Sequence, residues 1–325
     1  MGGRVVLTGG EGSSSHSNDG GDGGNVEVFG GEAKGQNIND NGGSFEAYGG
    51  SAFAGYGGSI RLTSGVGTST SSGSVLVNTA NSGSAGISGA ITLSTGTTSL
   101  GTSGYMQLLT GEATSGRGGH VQVMVGTGHS GDGGYIQVDA GKTTSSNTGG
   151  YIAIATGYSA PTSSGAFSLR TPNAGTTGVS GEMSFSTGTS SAGNTGVILM
   201  GTGEATSGKG GDVRVRVGTG HANDGGDVLI SAGETTANAK TGGDVVITAG
   251  EGSSTYDFDG GDGGKVQIFG GAGMGKFNED DGGNVEIAGG FAAVARGGSY
   301  LLNSGYGQST SSGIVDIASA NAGSA

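Results

Sequence analysis

A short glycine-bracketed motif recurs through the whole chain and limits what the chain can fold into. Each copy reads Gly, Ser or Thr, then Gly, then x-Φ-x-Φ-x-small-Gly, where Φ is an apolar residue. Two examples are GGDVVITAG at Gly242–Gly250 and GGHVQVMVG at Gly118–Gly126. Most copies begin 15 or 16 residues after the previous one, and the first two intervals are longer, at 21 and 19 residues. So short and regular a period is typical of a tandem-repeat architecture.

Alternation inside the motif favours β structure. In the copy at Gly210–Gly218, Val213 and Val215 alternate with Asp212 and Arg214, the period-two pattern of a strand with one buried face. The bracketing glycines are expected to supply positive φ at tight corners, and no window has the spacing of an amphipathic helix. We therefore predict an all-β chain, a parallel β-solenoid with coils of 15–16 residues and essentially no helix. The alternative, an antiparallel meander of hairpins, requires two unlike turns, whereas every motif here has the same flanks.

A second, longer repeat contains the first. Residues Gly2–Ala85 align with Gly242–Ala325 at a constant offset of 240 residues and without a gap. The predicted organisation is one continuous solenoid over residues 1–325, in which 1–241 form a super-unit of 15 coils and 242–325 begin the next. Solenoids need polar terminal caps, and none is seen after the last motif. We therefore expect the chain to be an excerpt of a longer array within a fibre.

Composition excludes several classes of protein. Of 325 residues, 80 are glycine and 2 are proline, and no Gly-X-Y period is present, so the chain is not collagen. The formal net charge of −13 argues against nucleic acid or an anionic membrane surface as a partner, because both attract clustered Lys and Arg. No apolar run approaches the length of a membrane span, so membrane insertion is not expected. The absence of cysteine excludes disulfides.

The GG-x-Φ-x-Φ-x-x-G units resemble the Gly/Ser/Thr-rich parallel β-solenoid arrays of long secreted proteins. These include surface-appendage and adhesin proteins of algae and bacteria and fibre proteins of viruses. The resemblance covers the entire chain and identifies no particular protein. It implies an extracellular or cell-surface location and a scaffold role.

Acidic loops in the long repeats are candidate calcium sites. They include HSNDGGDGG at His16–Gly24 and NEDDGG at Asn278–Gly283, and carboxylates and Asn carbonyls in glycine-rich turns are the oxygen ligands that calcium prefers. The candidate ligands are Asp19, Asp22, Asp40, Asp257, Asp259, Asp262, Asp280 and Asp281. The competing interpretation is a set of solvated loops whose Asp, Asn and Gly residues serve turn geometry. Apart from calcium, no cofactor is predicted.

Aromatic residues lie in the same repeats, among them Phe45, Tyr48, Phe53 and Tyr56. A thin solenoid core has little room for so many rings. We expect them to form either a satellite cluster under the long loops or an exposed patch between filaments.

No arrangement of residues supports catalysis. Gly126–Gly131 fits G-x-G-x-x-G, but a strand-like motif follows it, where a dinucleotide site requires a helix. The four histidines show no metal-ligand spacing, and no nucleophile–base–acid set is apparent. We predict that the protein is not an enzyme.

The sequence therefore favours a structural protein that forms a rigid extracellular rod or filament by stacking of coils and end-to-end continuation. Its predicted partner is itself, and O-linked glycans on the abundant Ser and Thr are possible additions. A calcium-dependent adhesin or binding stalk is the alternative. An ice-binding solenoid is the third hypothesis, disfavoured because the outward residues vary and do not form columns of threonine.

Overall fold

No regular secondary structure forms in the part of the chain that the structure describes. The computed structural model describes residues 3–14, 21–222, 224–256, 260–277 and 279–319, and these ranges contain neither a helix nor a β-strand. The chain divides into two units, Met1–Gly165 and Ala166–Ala325. Both are built from the same short element, so each is described through that element.

The repeating element is a six-residue segment followed by a loop. We call the glycine that ends each loop the closing glycine, and we number the six residues after it as positions 1 to 6 of a segment. The segments of the first unit are 4–9, 25–30, 44–49, 59–64, 74–79, 90–95, 105–110, 120–125, 135–140 and 151–156. Those of the second unit are 166–171, 182–187, 197–202, 212–217, 227–232, 244–249, 265–270, 284–289, 299–304 and 314–319. The segments keep one length while the loops vary from nine to fifteen residues, and the described turns and bends all lie in the loops.

Backbone hydrogen bonds close the loops at their bases. In eleven of the nineteen loops the N–H of the closing glycine donates to the C=O of the first loop residue, as from Gly58 to Gly50 at 2.7 Å and from Gly165 to Gly157 at 2.9 Å. The same bond is made by the closing glycines Gly24, Gly43, Gly73, Gly150, Gly243, Gly264, Gly283, Gly298 and Gly313. Each bond joins the two ends of one loop, so the order it imposes is local.

The closing position is glycine because two stretches of backbone approach closely there. A Cβ atom built on Gly58 would lie 2.8 Å from the backbone nitrogen of Gly50. One built on Gly134 would lie 2.7 Å from Cγ1 of Val125, which is position 6 of the preceding segment. Real Cβ contacts are not this short, so a larger residue at Gly58, where the neighbour is backbone, would force the base of that loop apart.

The predicted parallel β-solenoid is wrong. A solenoid pairs each segment with its equivalent in the next coil, whereas the backbone bonds of the described residues remain within single loops or turns. None of the described residues is buried. The accessible surface is 32771 Å², against about 12,000 Å² for a compact protein of this mass and about 45,000 Å² for its extended chain. No hydrophobic core forms among the residues that the structure describes.

The reason lies in how little apolar surface a repeat has for covering itself. Every segment except 44–49 has a large apolar side chain at both positions 2 and 4, and the loop that follows is mostly Gly, Ser, Thr and Ala. Such a loop has few side chains large enough to cover the segment, and those it has, such as Phe53 and Tyr56, are exposed. Burial of apolar area is the main term that offsets the entropy of ordering a chain, and here that term is too small to fold the coil onto a neighbour.

The glycines also act differently from the sequence-based expectation. In the described ranges, left-handed φ values occur at Gly86, Gly101, Gly131 and Ala239, all within loops. No closing glycine of the described chain adopts one. Close approach of the backbone, and not positive φ, therefore accounts for glycine at closing positions such as Gly43, Gly58 and Gly298.

Candidate functional site

When the segments are aligned by position, two columns of the alignment, positions 2 and 4, are apolar throughout. Position 2 of every segment holds a large apolar or aromatic residue, from Val5 in the first to Val315 in the last. Position 4 is also apolar in every segment, and Ala47 is its only small member. No charged residue occupies either position. The site that recurs most faithfully in this chain is therefore an apolar pair spaced two residues apart.

These apolar pairs have no cover within the described chain. Apart from Val5, the exposure of position 2 runs from 43% at Met183 to 65% at Phe45. The large residues of position 4 are exposed by 51% at Leu302 to 84% at Ile317. Side chains of this kind are normally buried in monomeric proteins. So many uncovered apolar side chains are typical of a surface that binds something.

Side chains two residues apart meet on the other side of the segments. The Tyr48 hydroxyl, at position 5, donates to Glu46 Oε2, at position 3, over 2.8 Å. The amide of Gln137 donates in the same way to the carboxylate of Asp139. Residues i and i+2 share a side only in extended backbone. Positions 1, 3 and 5 thus form one face of a segment, and positions 2 and 4 form the other.

A charged cluster lies on the face of segment 212–217 that carries positions 1, 3 and 5. The Asp212 carboxylate accepts from Lys209 Nζ at 2.7 Å and from Arg214 Nη2 at 2.8 Å. The hydrogen bond from Lys209, and then that from Arg214, lower the pKa of Asp212 below its ordinary value. On the Tyr48–Glu46 pair, the hydrogen bond to the carboxylate raises the pKa of the Tyr48 hydroxyl. Both pairs are exposed, so they organise a surface and do not form an enclosed site.

The acidic loops are organised as local turns. In loop 31–43 the Asp40 carboxylate accepts from the backbone N–H of Asn37 at 3.1 Å, and the Asp40 N–H donates to the Asn37 carbonyl at 2.9 Å. The copy 240 residues later repeats this turn, with Asp280 accepting from the N–H of Phe277 at 2.7 Å. Such bonds from an aspartate to nearby backbone stabilise turns. Two of the calcium candidates thus have a structural role in the described chain.

Of the other calcium candidates, some lie within the described residues and some lie outside them. Asp22, Asp262 and Asp281 are described, whereas Asp19, Asp257 and Asp259 lie outside the described residues. Asp22 and Asp262 belong to equivalent loops, next to glycines that pass close to Gly12 and Gly252. Among the described residues no three His, Cys, Asp or Glu side chains come together as a metal-binding group. The calcium site therefore stays a prediction from sequence.

The aromatic residues of the long repeats are exposed. Phe53 and Tyr56 are fully accessible in loop 50–58, and Phe45 and Tyr48 are mostly so. The described rings therefore do not form a satellite core.

A depression of about 350 Å³ lined by Arg170, Thr171, Pro172 and Asn173 opens at the start of another loop, with one charged side chain and no carboxylate on its wall.

Comparisons with known protein families, with curated proteins and with solved structures find no match to this chain. No helix in the described ranges is long and apolar enough to cross a membrane. The sequence already contained the signal for the loop base, since a glycine precedes every apolar pair by two residues. The interpretation of this closing glycine as a corner residue overlooks its contact with position 6, such as that between Gly134 and Val125.

Proposed function

We propose that this protein is a structural protein that self-associates into filaments of an extracellular or cell-surface assembly and catalyses no reaction. One observation carries the proposal, the uncovered apolar pair at positions 2 and 4 of every segment. Covering such surface is favourable by about 25 cal/mol per Å². One chain does not cover it, so the protein reaches its stable form with a partner.

The partner that suits this surface best is another copy of the chain. Every segment presents the same pair at the same spacing, so any two copies are complementary at many places at once. A buried aliphatic side chain contributes about 1.5–3 kcal/mol, and one pair of segments is therefore weak. A run of segments joined through one chain binds far more tightly because later contacts form at high effective concentration. The extracellular location rests on the resemblance of the repeats to secreted arrays.

Substitution of the apolar column tests the proposal. In the triple variant M106S/V121S/I136S, position 2 becomes polar in three successive segments that are 52–60% exposed at that position. We expect the concentration at which filaments form to rise by about tenfold or more, because each change removes part of the apolar surface that association covers. Sedimentation and negative-stain electron microscopy measure that concentration and show the particles.

The matched control changes equally apolar residues on the other face. In Y105S/L109S/M124S, positions 1 and 5 of neighbouring segments lose side chains that are 80–82% exposed. We expect assembly within about twofold of the unmodified protein. Filament formation that responds equally to both triple variants, or a chain that stays monomeric at every concentration, would contradict the proposal.

A further inference from the structure

The backbone of the segments is as unpaired as their apolar side chains. In the described ranges the backbone–backbone hydrogen bonds lie at loop bases and inside loops, and no residue at positions 1 to 6 takes part in one. Extended backbone with free N–H and C=O groups is a template for pairing with another chain. The segments thus carry two incomplete surfaces, an apolar face and two open edges.

The segments are also kept compatible with a β-strand throughout. Apolar residues at positions 2 and 4 are mostly Val, Ile and Leu, and Val and Ile in particular favour strands. The two prolines of the chain, Pro161 and Pro172, both lie in loops, where the missing N–H leaves no ladder incomplete. Sequence and backbone geometry therefore both leave the segments able to pair.

The constant length of the segments indicates that each segment pairs with another segment of the same kind. Loops vary from nine to fifteen residues, yet the residue after position 6 is again glycine in 17 of the 20 segments, the exceptions being Ala80, Pro172 and Ala320, so six residues separate the two glycines almost throughout. A fixed length is needed where identical elements must align side by side, because a shift of one residue moves the apolar pair to the opposite face. An unrelated partner would not require one length in both units of the chain.

We infer that each segment is a binding site for the same kind of segment in a second copy of this chain, joined edge to edge through backbone hydrogen bonds as a β-strand. The inference rests on the proposed self-association and specifies its chemistry. Strands form between copies and are absent from the described part of a single copy. Apolar pairs of successive copies then lie side by side along the assembly, at a strand spacing of about 4.8 Å.

Proline at position 3, on the face opposite the apolar pair, tests the contribution of backbone hydrogen bonds separately from that of the apolar side chains. The variant Q107P/Q122P/Q137P removes three N–H donors at position 3 and leaves positions 2 and 4 intact. We expect the concentration needed for assembly to rise about tenfold or more, since each lost ladder bond weakens the interface. The control Q107A/Q122A/Q137A removes the same side chains, including the Gln137 contact with Asp139, but keeps the donors. It should assemble within about twofold of the unmodified chain.

Infrared spectroscopy and fibre diffraction of the unmodified chain complement the variants. On assembly of the unmodified full chain we expect an infrared amide I band of intermolecular β-sheet and a fibre-diffraction reflection at about 4.8 Å. Filaments that lack both, or a proline variant that assembles as readily as the alanine variant, would overturn the edge-to-edge inference and leave apolar self-association standing. An unmodified chain that never assembles would overturn both proposals.

Discussion

At the scale of single residues, the closing glycine decides where the chain turns back. At several of these positions a methyl group has no room, because a Cβ on Gly58 would lie 2.8 Å from the backbone nitrogen of Gly50 and one on Gly134 would lie 2.7 Å from Cγ1 of Val125. Position 6 adapts to the same crowding, because it is Gly, Ala, Ser, Thr or Val in every segment. Two positions thus specify the base of each loop.

We expect Gly58→Ala to loosen loop 50–58. The new Cβ would meet backbone, which has no flexible side chain to move aside, and overpacking of this kind costs about 1–3 kcal/mol. The amide hydrogen of residue 58, which is bonded to Gly50 O, should exchange several-fold faster by NMR. Gly50→Ala is the control, because open space surrounds that Cα and the acceptor carbonyl remains. Equal protection of residue 58 in both variants would contradict the steric explanation.

The charged cluster on segment 212–217 makes a prediction about pH. The pKa of Asp212 is lowered by Lys209 and then by Arg214, so its contacts are present above the ordinary range of an aspartate and are lost as the pH falls through the lowered value. We expect the carboxyl ¹³C titration of Asp212 to move back toward ordinary values in K209A, and by less in R214A. Arg216→Ala should leave the midpoint unchanged, and a shift in R216A equal to that in K209A would show that general charge, not the two contacts, lowers the pKa.

At the scale of elements, the segment and the loop have different roles in each repeat. Segments are constant in length and carry the apolar pair, whereas loops vary in length and hold the turns. The period of 15–16 residues, the alternation and the special place of glycine were all readable from sequence. The lack of pairing between segments within the described chain was not, because alternation reports which side of a segment is apolar and does not report whether the same chain covers it.

The turn in loop 31–43 depends on one carboxylate. Asp40→Ala removes the acceptor for the Asn37 N–H, and we expect that amide to exchange about fivefold faster, the effect of losing one modest hydrogen bond. Asp40→Asn should retain much of the protection, because an amide oxygen accepts in the same place. Protection of Asn37 that rises with added calcium in the unmodified chain, and vanishes in D40A, would instead favour the metal-site interpretation of this loop.

At the scale of the whole molecule, charge opposes the association that apolar surface favours. The chain has a net charge of −13, and no charged residue interrupts positions 2 and 4. In the proposed self-association, copies would repel at long range and attract only once their segments meet. The predicted solenoid assumed that one chain covers its own apolar columns, and a chain that is about one quarter glycine has too little large apolar surface to do so.

Salt should therefore promote assembly. Raising the ionic strength from 0.01 M to 0.1 M shortens the screening length from about 30 Å to about 10 Å, which weakens the repulsion between acidic copies and leaves apolar contacts almost unaffected. We expect the concentration needed for assembly to fall several-fold by sedimentation at constant pH. A rise with salt would mean that ion pairs between copies, and not apolar segments, hold the assembly together.

The local closure of each loop base also bears on how such a chain changes through generations. A base is specified by a closing glycine and the residues that enter its loop, all within the same repeat unit. Recombination between gene copies of one repeat removes or adds a complete unit and leaves every remaining base with its own two partners. The array thus lengthens or shortens by whole repeats without redesign of any junction, and the gapless alignment of Gly2–Ala85 with Gly242–Ala325, identical at 46 of 84 positions, is consistent with such duplication.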